Sequence, residues 1–77
     1  MRAEIYGNER CSYCKLAVSL CETNDIEVDY IDVDNSENLR VLRERVGIPV
    51  KTIPQIFLDG QFIPGGFNGL KQELAKG

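Results

Sequence analysis

Histidine and tryptophan are both absent from the chain. Without an imidazole it cannot form a Ser-His-Asp or Cys-His catalytic arrangement, nor a zinc site that uses histidine. No apolar run approaches the roughly 20 residues that a membrane-spanning helix needs. The first residues, MRAEIYGNERC, lack the apolar stretch of a signal peptide. We therefore expect a cytoplasmic protein that has no membrane partner.

Basic residues are fewer than acidic ones. Nine Lys and Arg stand against twelve Asp and Glu, which gives a formal net charge of −3. Nucleic acids and anionic membranes both favour clustered Lys and Arg, so neither is expected as a partner. The length of 77 residues suits a single small domain, 1–77, and a hydrophobic content of 43% can supply its core. A monomer is expected.

Cysteines number three, an odd count that does not fit the even-numbered disulfide frameworks of small secreted scaffolds. Two of them, Cys11 and Cys14, lie three positions apart in RCSYCK, directly before a helix-like run. A structural disulfide, half of a metal site and a redox pair all use this spacing. The spacing alone does not decide among the three.

Hydrophobic periodicity predicts alternating strands and helices along the chain. The first three predicted elements are a strand at 3–6, a helix at 12–23 and a strand at 27–33. A second helix follows the cap candidates DNSE (34–37), is marked by Leu39, Leu42 and Val46, and closes at Gly47. Strands at 55–58 and 61–63 then flank an Asp59-Gly60 turn, and a final helix is capped by Asn68 and buries Leu70 and Leu74.

This order of elements predicts an α/β fold with a four-stranded mixed sheet. The βαβ unit makes the first two strands parallel through a right-handed crossover, and the β-hairpin adds two antiparallel strands. Cys11 then lies where the first strand ends and the first helix begins. In open α/β sheets ligands bind at this edge, so we expect the functional site there.

Cys11 is predicted to be the reactive sulfur of the pair. Cysteine reacts as the thiolate, and a helix N-terminus stabilises an anion through unpaired N–H groups and its positive dipole end. Arg10 can add positive charge. Cys14, one turn later, is within disulfide range and is expected to be more buried. This asymmetry predicts that Cys11 attacks a disulfide and that Cys14, or an outside thiol, resolves the mixed disulfide.

The other uses of the pair are weaker. A disulfide that closes so short a loop removes little unfolded-state entropy, which argues against a purely structural bridge. Zinc needs two more ligands, and only Cys21 remains. The helical pattern places Cys21 on the inward face of the first helix, so we expect it to pack in the core and expect no metal site.

Three motifs, in order and over essentially the whole chain, resemble those of the glutaredoxin family. They are CSYC at the strand-to-helix junction, a serine variant of C-P-Y-C; Thr52-Ile53-Pro54, similar to T-V-P; and Gly65-Gly66-Phe67, similar to the family's diglycine. The resemblance implies the thioredoxin fold. It also implies a glutathione-dependent oxidoreductase that reduces protein disulfides and protein–glutathione mixed disulfides, with Cys11 as the nucleophile and Cys14 as the resolving thiol.

The resemblance further implies a glutathione site. Pro54 is expected to be a cis-proline beside Cys11, which leaves the backbone of Ile53 free to pair with the cysteine portion of glutathione. The helix after the diglycine is expected to hold the γ-glutamyl carboxylate. The residues expected to bind glutathione are Arg10, Tyr13, Thr52, Ile53, Pro54, Gly66, Phe67 and Asn68. Disulfide-containing and glutathionylated proteins are the other expected partners.

The chain also departs from the family pattern. Asn8 stands where the family often has Lys or Arg, and Arg10 and Lys51 are the candidate replacements. Asn68 and Gly69 stand where one or two aspartates usually meet the glutathione amino group, so weaker glutathione binding is expected, with Gly69→Asp as its test. In addition, Pro64 is an extra residue before the diglycine.

Ser12 replaces the proline of C-P-Y-C and removes a φ restraint from the active-site turn. Some glutaredoxins with serine at this position share a [2Fe–2S] cluster between two subunits. Such a cofactor is not favoured here, but the function of an iron–sulfur carrier, whose cysteines ligate rather than exchange, stays open at this point.

A second alternative is a small redoxin that is reduced by thioredoxin reductase and donates electrons to ribonucleotide reductase. Such redoxins typically carry W-S-G-F where this chain has PGGF. Thioredoxin itself is disfavoured, because Arg10 stands where its tryptophan precedes C-G-P-C.

Overall fold

The sheet of the computed structural model, which describes residues 1–47 and 49–76, has four strands in this part of the chain. They are β1 (Arg2–Gly7), β2 (Glu27–Asp32), β3 (Gln55–Leu58) and β4 (Gln61–Ile63), and the helices are α1 (Ser12–Thr23), α2 (Ser36–Val46) and α3 (Gly66–Ala75). The strand order is β2-β1-β3-β4. β1 runs parallel to β2 and antiparallel to β3, and β3 is antiparallel to β4. The predicted mixed sheet is confirmed.

β1 is one residue longer at each end than the apolar pattern predicted. Parallel pairing with β2 extends from Arg2 opposite Glu27 to Gly7 opposite Asp32, so the partner strand recruits both end residues. Arg2 also donates to the Asp29 carboxylate, with the Nε–Oδ2 distance at 2.8 Å. β2 ends at Asp32 rather than at residue 33. The Val33 N–H still donates to the Gly7 carbonyl at 2.9 Å, so the predicted end of the strand differs by one residue.

The core has two parts because helices cover both faces of the sheet. Cluster A lies between the sheet and helices α1 and α3; it consists of Ala3, Ile5, Ala17, Cys21, Ile26, Ile56, Leu58, Ile63 and Leu70. Cluster B lies under α2 and consists of Tyr6, Leu42 and Phe57. Leu42 and Leu70 have no exposed surface. Each such side chain contributes about 1.5–3 kcal/mol by leaving water.

Arg45 ties α2 to the sheet. It donates to the Glu4 carboxylate at 2.8 Å and to the Tyr6 hydroxyl at 2.9 Å, and its guanidinium lies 3.7 Å from the centroid of the Phe57 ring. These contacts belong to the face that carries cluster B. The hydroxyl of Tyr6 is thus on the opposite side of the sheet from α1.

The predicted signals for α2 and the hairpin are confirmed. Asn35 is the N-cap of α2, and its Oδ1 accepts the Asn38 N–H at 3.0 Å. Gly47 ends the helix with a left-handed φ of 76°. Asp59 and Gly60 both have positive φ, 48° and 83°, as a two-residue hairpin turn requires.

The predicted start of α3 is wrong. The helix begins at Gly66, with Gly65 as its N-cap, so Asn68 lies inside it and does not cap it. Gly65 and Gly66 adopt positive φ values of 94° and 59°, which lets the chain turn into the helix before it reaches Asn68. Leu70 is fully buried as predicted, whereas Leu74 is only half-buried.

In the residues that the structure describes, every helix is too short or too polar to cross a membrane.

Candidate active site

Cys11 is the N-cap of α1. Its backbone is extended, with φ −90° and ψ 106°, and its Sγ accepts the N–H of Cys14 at 3.1 Å. A sulfur thus takes the place that a serine or aspartate oxygen usually occupies at a helix start. When the sulfur is a thiolate, this N–H and the positive end of the helix dipole stabilise its charge.

Cys11 and Cys14 are joined by a disulfide, with their Cα atoms 5.2 Å apart. The two sulfurs have different surroundings, because Cys14 has no exposed surface while Cys11 is half-buried. The predicted asymmetry in burial is confirmed. An incoming thiol or disulfide therefore has access to Cys11 and not to Cys14.

Cys21 is the free cysteine of the described residues and lies in cluster A with no exposed surface. Its burial, followed by the negative charge of Glu22, raises the pKa of its thiol. The predicted packing role is confirmed. Within residues 1–47 and 49–76, no group of three or more His, Cys, Asp or Glu side chains is placed to hold a metal ion.

A depression of about 250 Å³ lies beside the starts of helices α1 and α3, and we name it the substrate cleft. It is lined by Tyr13, Thr52, Ile53, Pro54, Gln55, Gly65, Gly66, Phe67 and Asn68. Of the residues predicted to bind glutathione, the structure brings all except Arg10 together in this lining. None of the lining side chains carries a full charge at neutral pH.

Two loops meet at the floor of the substrate cleft. The Ile53–Pro54 peptide bond is cis, as expected. A Cβ atom at Gly66 would lie 3.2 Å from the carbonyl oxygen of Pro54, closer than most real contacts. The glycine therefore allows the start of α3 to pack directly on the proline loop. This close approach and the positive φ of 59° together favour glycine at position 66.

Gln55 is a lining residue that the sequence did not indicate. Its side-chain amide donates to the Thr52 carbonyl at 2.8 Å and, at 3.4 Å, to the Thr52 hydroxyl. It thereby closes the loop that contains Pro54. The one available signal was its position, directly after the proline.

Aromatic rings form the rim of the substrate cleft. Tyr13 is 60% exposed, and its ring centroid lies 6.0 Å from that of Phe67. The ammonium of Lys71 lies 6.0 Å from the Phe67 centroid, outside the lining. Rings of this kind can cover an apolar or sulfur-containing ligand without adding charge to the site.

The structure places Arg10 away from the substrate cleft. Its side chain is 77% exposed, and its Nη2 lies 3.3 Å from the Asp34 carboxylate. Exposed pairs of this kind are worth about 0.2–1 kcal/mol. Asn8 is engaged within its own loop, since its Oδ1 accepts the Arg10 N–H at 3.0 Å. A role for Arg10 in binding glutathione stays a prediction.

Gly69 is not a usable site for the aspartate test. A Cβ atom at this position would overlap the carbonyl oxygen of Pro64, a backbone atom that cannot move aside as a flexible side chain can. A Gly69→Asp change would distort the turn before α3, so its effect on binding would not report on charge. Asn68, which is exposed and lines the cleft, is the better position.

Comparison with known proteins identifies one family. The family model that matches residues 3–63 is that of glutaredoxin. Glutaredoxin 1 of Escherichia coli (strain K12) is 36% identical over 72 residues, which cover 84% of this chain and 84% of that protein.

Solved structures agree with the sequence comparison. The structure of reduced Escherichia coli glutaredoxin has a TM-score of 0.82 at 32% identity, covering 99% of this chain and 95% of that one. The buckwheat glutaredoxin–glutathione complex has a TM-score of 0.76 at 19% identity, covering 96% and 68%. The expected thioredoxin fold is confirmed.

Proposed function

Because the chain belongs to the glutaredoxin family and is thus a thiol–disulfide oxidoreductase, we propose that it uses glutathione to reduce protein disulfides and protein–glutathione mixed disulfides. The observation that carries the proposal is the position of the substrate cleft. It lies beside the reactive end of α1 and is lined by residues of both the cis-proline loop and the diglycine turn.

The proposed reaction begins at Cys11. Its thiolate attacks the glutathione sulfur of a mixed disulfide, forms a Cys11–glutathione disulfide and releases the client thiolate, which takes up a proton. A second glutathione thiolate then attacks the bound glutathione sulfur, which forms glutathione disulfide and frees Cys11 as a thiolate. Alternatively, the Cys14 thiolate attacks Cys11 Sγ, which closes the observed disulfide and releases glutathione. The half-buried position of Cys11 and the hydrogen bond from the Cys14 N–H support its role as the first nucleophile.

The lining suggests how glutathione is held. The backbone of Ile53 pairs with the cysteine portion of glutathione, and the free N–H groups at the start of α3 receive the γ-glutamyl carboxylate. No side chain caps α3, so these N–H groups have no side-chain acceptor of their own at the N-cap. Tyr13 and Phe67 flank the bound sulfur. A buckwheat glutaredoxin of the same fold has been solved in complex with glutathione, which supports glutathione as the ligand.

A pair of coupled assays tests the reductant. With glutathione and glutathione reductase, we expect NADPH consumption when a glutathionylated peptide is added. With thioredoxin reductase in place of both, we expect none, and then the redoxin alternative fails. The reverse pattern would overturn the proposal.

We also propose that the protein is a cytoplasmic monomer, since a reducing compartment keeps the dithiol available. Its candidate clients include ribonucleotide reductase.

Asn68→Asp is expected to lower the KM for glutathione. The new carboxylate at the cleft can meet the glutathione amino group, and an exposed ion pair of about 0.2–1 kcal/mol corresponds to at most about a fivefold change. The measurement is the glutathione dependence of the coupled assay.

Gln72→Glu is the matched control for this prediction. It adds the same charge to an exposed position of α3 that does not line the substrate cleft, so the KM should stay as it is. An unchanged KM in Asn68→Asp, or an equal change in both variants, would contradict the proposed orientation of glutathione.

A further inference from the structure

Tyr30 approaches the cysteine pair from β2. It pairs with Ile5 of β1, and its side chain shares a sheet face with that of Val28, which packs against cluster A. The Tyr30 hydroxyl donates to the carbonyl oxygen of Asn8 at 2.6 Å. Burial, followed by the charge of Asp32, raises the pKa of this hydroxyl. At neutral pH it therefore keeps the proton that it donates.

Gly7 allows the hydroxyl and the Cys14 sulfur to come close. A Cβ atom at Gly7 would lie 2.5 Å from Cys14 Sγ and 2.7 Å from the Tyr30 hydroxyl oxygen. Both atoms therefore lie close to the position that a side chain at Gly7 would occupy. The distance between the Cys14 sulfur and the Tyr30 oxygen cannot exceed the sum of these two distances. The hydroxyl is a polar neighbour of a sulfur that has no exposed surface.

A buried thiolate needs such a neighbour. When Cys14 attacks, its sulfur is an anion with no exposed surface, and a hydrogen-bond donor stabilises it. The Tyr30 hydroxyl can be that donor, because rotation about its C–O bond turns the hydrogen from the Asn8 carbonyl to the sulfur. We propose that Tyr30 is a positioning residue for Cys14: its hydroxyl, placed beside the sulfur by Asn8, donates a hydrogen bond to the thiolate and holds it for its attack on Cys11.

The step concerned is the second exchange, so the inference rests on the proposed function. Cys14 gives up its proton, and its sulfur bonds to Cys11 Sγ while the bond from Cys11 Sγ to the glutathione sulfur breaks. The electron pair of that bond leaves with glutathione, which takes up a proton and becomes the free thiol. Position matters in such a step, since a misplacement of 1 Å can cost about 10²-fold in rate.

Tyr30 lies apart from the substrate cleft. It lines a groove of about 520 Å³ together with Asn8, Glu9, Lys15, Val18 and Ser19, and this groove shares no residue with the cleft. Removing the hydroxyl therefore leaves the cleft surface unchanged. An effect of Tyr30 on the reaction would have to pass through Cys14 or its loop and not through substrate binding.

Tyr30→Phe separates the two exchanges in one experiment. Reduced protein is mixed with a glutathionylated peptide in the absence of free glutathione. Release of the peptide requires Cys11 alone, whereas release of glutathione requires Cys14. We expect an unchanged first phase and a second phase slowed about tenfold, so that the Cys11–glutathione adduct accumulates in mass spectra of quenched samples. In a Cys14→Ser background, Tyr30→Phe should change nothing.

Tyr6→Phe is the matched control. It removes a hydroxyl from the other face of the sheet, where it accepts from Arg45, and both phases should stay as in the unmodified protein. Equal slowing of both phases by Tyr30→Phe, or an unchanged second phase, would overturn the inference. If the unmodified protein shows no first phase, the proposed function fails instead, so the two failures can be told apart.

Discussion

A Cys11→Ser variant is expected to lose all thiol–disulfide exchange, down to the rate without protein, whereas Cys14→Ser keeps the removal of glutathione from glutathionylated peptides. Only a thiolate attacks a disulfide at a useful rate, and serine does not ionise at neutral pH. Cys14 cannot replace the missing nucleophile, because it has no exposed surface. The half-buried Cys11, in contrast, needs no resolving partner when outside glutathione is present.

The measurement is release of glutathione from a labelled peptide, run beside reduction of insulin disulfides. Cys14→Ser should be active in the first assay and strongly impaired in the second. Cys21→Ala is the control, since it removes a cysteine from cluster A without touching the pair, and both activities should remain. Exchange activity retained by Cys11→Ser would refute the assignment of the nucleophile.

The elements that could be predicted from the sequence are those in which local pattern and tertiary packing agree. The bounds of α1, 12–23, follow from an apolar face of which Cys14, Ala17 and Cys21 are buried and Val18 is half-buried. The hairpin follows from Asp59-Gly60, a pair that accepts positive φ without help from the rest of the fold. In these regions the conformation that the local sequence favours is the same as the one in the folded protein.

The start of α3 could not be predicted, because it depends on a contact across the substrate cleft. Local preference favours Asn68 as a cap. Gly65 and Gly66 override it by turning at positive φ, with Gly66 packed on the Pro54 carbonyl. The steric limit at Gly69 arises within the turn before α3, since its obstacle is the Pro64 carbonyl. Neither distance can be inferred from residue types alone.

The cysteine pair and most of the predicted cleft residues could be named because motifs carry them. The direction of the Arg10 side chain could not, since a long exposed side chain follows whichever partner is near, here Asp34. The Tyr30 hydroxyl gave no signal either. Its strand pattern marks it as a packing residue, and only the register opposite Ile5 brings it near the loop at Asn8.

Gly7→Ala is expected to lower the free energy of unfolding by about 1–3 kcal/mol, the usual cost of an extra group in a packed site. The new Cβ would lie 2.5 Å from Cys14 Sγ, 2.7 Å from the Tyr30 oxygen and 2.9 Å from Cys14 Cβ. For a domain of this size the midpoint of thermal unfolding should fall by about 4–8 °C for each kcal/mol. The measurement is urea unfolding of the reduced protein.

Double variants locate the cause of this loss. Cys14→Ala removes the sulfur, and Tyr30→Phe removes the hydroxyl. Each double variant with Gly7→Ala should therefore lose less free energy of unfolding than the sum of the losses in its two single variants. Gly47→Ala is the control. Its Cβ would meet none of the described residues within 4 Å, so its cost comes from the left-handed φ of 76° and should not couple to either change. Strict additivity at Gly7 would mean that the close approach of these three residues does not exist in solution. Recovery by Cys14→Ala together with Tyr30→Phe would instead establish that β1, β2 and α1 meet at the resolving sulfur, as its proposed positioning requires.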